Sequence, residues 1–181
     1  TDKYFSVAER GKGECSAGIF DLIESDLGHM QQARKLLEEM DVNGGTDAQV
    51  QQFLKDMVFY ASRVLLVSRA VEPKTEQESY NYFREHFINT GLVDASFDEL
   101  LKVAESGDYA VFIEKRDQVF ALADRMQLLY DVMDPAFDFK LSEADQGKEP
   151  AQKVTMTAVA AKSSAQEGKG EDVPATANVV K

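Results

Sequence analysis

The 181-residue chain has one cysteine, no tryptophan, two histidines, four prolines and no apolar run of membrane-spanning length. A single cysteine excludes an internal disulfide framework and any multi-cysteine zinc or iron–sulfur site made by this chain alone. With no spanning run and no charged-then-apolar leader, the expected setting is the cytoplasm. Basic residues are also in short supply. Twenty Lys and Arg against 32 Asp and Glu leave a formal net charge of -12, which argues against a nucleic-acid surface because phosphates are neutralised by clustered cations. Strand signals are missing too: β-branched runs are short, hairpin turns with alternating flanks do not occur, and no repeat of fixed period is visible.

What is present specifies helices. Hydrophobic residues make up 44% of the chain, enough for one sizeable core, and they place it in residues 1–139. Beyond Phe139 no aromatic residue follows, and the Ala, Lys, Ser, Gln, Gly and Glu of 140–181 cannot bury enough apolar surface to offset chain entropy, so a disordered tail or linker is expected there. The chain opens on Thr1 rather than Met, which reads as a processed product or a piece of a longer polypeptide.

Five helices are predicted, packed as an all-α up-and-down bundle with brief connections. The first, about 16–40, carries Ile19, Ile23, Leu27, Met30, Ala33 and Leu37 on one stripe and ends at Asn43-Gly44-Gly45. The second opens with the capping box Thr46-Asp47-Ala48-Gln49 and runs to about Ala70. It is apolar nearly all round at Met57–Ala61 and Val64–Val67, which marks a central helix. Pro73 forces a break, and Thr75-Glu76-Gln77-Glu78 is a second box, before a helix bearing Tyr80, Phe83 and Phe87. Ser96-Phe97-Asp98-Glu99 is read as a third box. Asp108 is read as the cap of a last helix with Phe112, Val119, Phe120, Ala123, Met126 and Tyr130 on one face.

The one stretch where local chemistry and local geometry meet is Arg10-Gly11-Lys12-Gly13-Glu14-Cys15-Ser16-Ala17-Gly18. A thiol at a helix start beside Lys12 and Arg10 has its thiolate favoured, as redox or sulfur-carrying cysteines require. Cys15 also lies four residues before Ile19 and so extends the apolar stripe, where it acts as a small hydrophobe. The amides at Gly13, with Lys12, suit an anion, although neither phosphate-loop nor dinucleotide spacing fits. A second anion-binding set is Arg63, Arg69 and Lys74 around the loop at Pro73, against the alternative that each is paired internally. Asp26 and His29 make half of a di-iron carboxylate–histidine pattern, but His86 has Phe83 where a carboxylate is needed, so no metal ligands are assigned. Ser68, His86 and Asp94 have no spacing or context that makes them a triad.

The Gly-Lys-Gly-Glu-Cys-Ser-Ala-Gly turn, the stretch Arg63 to Lys74 with its Glu-Pro-Lys break, and Phe83-Arg84-Glu85-His86-Phe87-Ile88-Asn89-Thr90-Gly91-Leu92-Val93 together resemble the HEPN-like helical domain appended to some prokaryotic siroheme sulfite and nitrite reductases. The resemblance covers about residues 5–137. It implies an accessory module that is not itself catalytic, with a reductase domain or subunit as partner, self-association as a corollary of the apolar second helix, and no cofactor in this chain. Other HEPN proteins are ribonucleases with an arginine four to six residues before a histidine. Here only Glu85 separates Arg84 from His86, which puts cleavage in doubt and leaves nucleotide or small-anion binding open. A cysteine-dependent sulfur carrier using Cys15 is the competing reading.

Overall fold

Two antiparallel helices begin the fold, and their residue pairs show the register directly. The computed structural model describes residues 14–146, with side chains from residue 17. Helix α1 spans Glu14–Asn43 and α2 spans Asp47–Arg63. Asp26 meets Arg63 and His29 meets Tyr60, so advancing three residues on α1 means retreating three on α2. Gly44, at φ +83°, makes the turn between them, a backbone geometry that glycine adopts without steric cost. The Thr46 box forms in full. Thr46 Oγ1 accepts from the Gln49 amide, and Gln49 Oε1 accepts from the Thr46 amide at 3.0 Å.

Helix α2 is central, contacting α1, α3 (Glu76–Phe83), α4 (Asp98–Ser106), α5 (Val111–Glu114) and α6 (Arg116–Asp131). Leu54, Met57 and Val58 are fully buried along it. Phe53, Phe59 and Tyr60 on the same helix are half-buried and pack against that core. On α1, Ile23, Leu27, Met30, Ala33 and Leu37 are buried as the stripe requires.

The all-α architecture matches the expectation, with six α-helical segments and no extended strand among the described residues. Three boundaries and one cap differ. Helix α2 stops at Arg63, and Leu66–Arg69 form a 3-10 turn closed by Ala70 in the left-handed conformation at φ +58°. Val64, Leu65 and Leu66 are all buried. At about 100° per residue, three consecutive side chains on a straight helix cannot all face one core, so the chain turns to bring them in. At the second box, Thr75 Oγ1 does accept from Glu78, but the Glu78 carboxylate reaches the Lys74 amide instead of that of Thr75. The third box is replaced by an earlier cap: Asp94 accepts from the Ser96 amide and starts a 3-10 turn, Ala95–Phe97, leading into α4. Asp108 does not cap a continuous last helix. Its carbonyl accepts from Val111, and the chain breaks at Lys115, separating one turn carrying the buried Phe112 from α6.

Helix α3 continues as a π-helical turn, Arg84–Ile88, with the Asn89 amide donating to the Arg84 carbonyl at 2.8 Å. Phe83 and Phe87 are fully buried on it and stack with centroids 5.5 Å apart. After α6 the chain folds back. Met133 and Phe139 form one antiparallel bridge, the Lys140 amide donates to the Val132 carbonyl, and Phe139 and Leu141 pack against the core. Residues 140–146, placed in the tail by composition, therefore belong with the bundle. Residues 147–181 lie outside the described residues.

Candidate functional site

The segment that breaks α2 makes one wall of a small groove of about 100 Å³. Leu22 and Asp26 of α1 face Arg63 and Val64 at the end of α2, with Leu66, Val67, Val71, Glu72 and Pro73 completing the lining. The segment from the break in α2 to Pro73 therefore supplies one side of this concavity and α1 the other.

Arg63 defines its chemistry. Nε and Nη2 donate to the two oxygens of Asp26 at 2.9 and 2.7 Å, a bidentate pair. The guanidinium lies 4.8 Å from the Phe59 ring centre and 5.4 Å from that of Tyr60, within cation–π range. Tyr60 in turn stacks on His29 at 4.8 Å, and His29 Nδ1–H donates to the Ser25 carbonyl. Asp26 and His29, the half pattern of a metal pair, thus face different partners. Among the described residues no group of three His, Cys, Asp or Glu side chains is placed to hold a metal ion.

Lys74 pairs with Glu72 on the same loop at 2.8 Å. Arg69 turns away to the C-terminal segment, where Nη2 donates to the Phe137 carbonyl at 2.7 Å and the guanidinium lies 4.4 Å from the Phe139 ring centre. Burial outweighs the nearby Asp138 charge and lowers the Arg69 pKa from its ordinary value. The three basic residues expected to converge on an anion are therefore engaged separately, two with carboxylates and one with a backbone carbonyl. Lys12 and Gly13 lie outside the described residues. The Cys15 backbone is in the first turn of α1, and its side chain lies outside them as well. The Ser68 hydroxyl donates to the Leu65 carbonyl, and Asp94 is held below the ordinary aspartate pKa by its bonds from Ser96, so each serves its own turn.

Pairing of this kind extends to all six arginines of the described residues. Arg34 binds Asp124 from α1 to α6, Arg116 holds both oxygens of Asp41, Arg84 bridges Asp98 and Glu105 of α4, and Arg125 donates to the carbonyls of Leu92 and Asp145. Between α1 and α6 the contacts form a polar ladder: Glu24 with Tyr130, Gln31 with Gln127, Arg34 with Asp124 and Asp41 with Arg116. Sequence reasoning identified the kind of partner Arg63 needs and left its identity open. Asp26 lies three residues after Ile23 on the buried stripe, a place where a carboxylate demands a cation.

Comparison of the chain with protein-family models, with curated proteins and with solved structures finds no match. The reading of function rests on the residues themselves.

Proposed function

We propose that this chain is a helical accessory module that docks on a sulfite or nitrite reductase domain or subunit and leaves the reduction to that partner. The observation that carries the reading is the engagement of all six described arginines within the fold. Guanidinium groups that would otherwise polarise a substrate or hold an anion here hold helices and loops together. What remains at the surface is dominated by carboxylates, in a chain of net charge -12. Such a surface steers a partner bearing a basic face, with an association rate that falls as salt rises. The resemblance of the Arg63–Lys74 and Phe83–Val93 stretches supplies the class of that partner.

Sedimentation velocity of the purified chain mixed with a purified siroheme sulfite reductase, at low and at high salt, tests this. A complex at low salt that weakens at high salt is expected. Independent sedimentation at both salts, with no change in the reductase's sulfite turnover, would refute it.

A further inference from the structure

We propose that residues 132–146 form a strap that opens as a unit while the helical bundle stays folded. The strap has no helix or sheet of its own to hold it down. One bridge, Met133 with Phe139, and the Lys140 to Val132 hydrogen bond close its loop. Its turn is closed locally: the Asp134 amide donates to the Asp138 carbonyl, the Phe137 amide to the Asp134 carbonyl, and Asp134 Oδ1 accepts from the amides of Ala136 and Asp138 at 2.9 and 3.0 Å.

That turn forces Phe137 to φ +65°. A bulky residue gains nothing from the left-handed region and is strained there by the clash of its Cβ with the following carbonyl. Two outside contacts hold it in place. The Phe137 carbonyl accepts from Arg69, and its ring lies 5.5 Å from that of Phe20 on α1. Further along, the Asp145 carbonyl accepts from Arg125. Both arginines are partly desolvated in doing so, and Arg69 Nε is buried with no hydrogen-bond partner among the described residues.

The closed strap thus combines a strained backbone with two incompletely solvated guanidinium groups, which opening would relieve together. Against this stand two arginine–carbonyl bonds, the Phe137–Phe20 ring contact, and the packing of Met133, Leu141 and Phe139 on the core, the last with its ring centre 6.1 Å from that of Phe87. Leu54, Met57, Val58, Leu100, Leu101, Leu122 and Met126, all fully buried, lie on α2, α4 and α6, outside the strap. Segments with few buried apolar contacts and few ladder hydrogen bonds open locally, below the global unfolding free energy. Opening would draw Phe139 off Phe87 and release Arg69.

Amide hydrogen exchange of the full chain, followed by NMR at increasing low denaturant, tests this. The amides of Asp134, Phe137, Asp138 and Lys140 are expected to exchange together, faster than those of Leu54 and Val58 on α2 and with little dependence on denaturant. Arg69→Met keeps an aliphatic side chain over Phe139 but cannot donate. It should speed exchange at the strap amides about tenfold or more, the scale of losing a hydrogen bond from a charged donor, without changing the α2 amides. Strap amides of the unmodified chain that exchange as slowly as those of α2, with the same denaturant dependence, would overturn the proposal, and so would equal acceleration of both sets in Arg69→Met.

Discussion

Arg63 and Asp26 face each other across two antiparallel helices through paired hydrogen bonds of 2.9 and 2.7 Å, and their two environments are unequal. The Asp26 side chain is 12% exposed and that of Arg63 is 33% exposed. Arg63→Met strands a nearly buried carboxylate, whereas Asp26→Leu leaves a guanidinium that still touches water and the faces of Phe59 and Tyr60. The first is expected to cost about 2 to 3 kcal/mol and the second about 1, below the cost of breaking a fully buried pair because Arg63 is partly solvated. Urea unfolding of the two variants measures both, and equal losses would contradict the asymmetry.

Ala70 closes the 3-10 turn after α2 in the left-handed conformation, with φ +58° and ψ +30°. Glycine adopts this geometry without the clash of Cβ against the following carbonyl, at the expense of greater unfolded-chain entropy. Ala70→Gly is therefore expected to stabilise the fold by about 0.5 to 1 kcal/mol, the strain relieved less the entropy added. A lowered thermal midpoint would show that the loop around Pro73 is not strained at this position.

Much of the architecture was legible because the signals were local. The α1 stripe, the Thr46 box and the Asn43-Gly44 stop each depend on residues within a few positions of one another. What could not be read depended on distant partners. The break at Arg63 follows from burying Val64, Leu65 and Leu66 together, which only the surrounding helices impose. Residues 140–146 looked like tail because they lack aromatics, yet they are held through the Asp145 carbonyl by Arg125 and through the apolar contact of Leu141. At the candidate site, the need of Arg63 for a partner was visible from its apolar surroundings. That Asp26 is that partner, and that Arg69 faces Phe137 instead of joining Arg63 and Lys74, depends on tertiary register.

Gly28 lies on the exposed face of α1, and a Cβ built there meets nothing within 4 Å. No close approach or positive φ requires glycine at this position, and a glycine inside a helix costs conformational entropy. Gly28→Ala is expected to raise stability by about 0.5 to 1 kcal/mol, read as a shift of the urea midpoint at unchanged slope. A destabilised variant would point to a contact at this face outside the described protomer.

Arg84 connects the π-helical turn to α4 by donating to Asp98 and Glu105, and this should make stability depend on acid pH. Burial acts to raise both carboxyl pKa values, but the hydrogen bonds and charge of Arg84, with help from Lys102 and Gln77, outweigh it and leave both lowered. Unfolding restores the ordinary values, 3.8 for Asp98 and 4.5 for Glu105. Between those values and the lower folded ones, the unfolded chain binds more protons, so stability rises with pH through that window. The contribution is complete above about pH 5, and it is lost as pH falls through the folded pKa values. Arg84→Met removes the donor that lowers both groups, so the variant should be less stable at neutral pH and its stability should fall less steeply below pH 4.5. Urea titrations of both proteins from neutral to acid pH measure the two slopes, and parallel curves would exclude Arg84 as the source of the acid sensitivity.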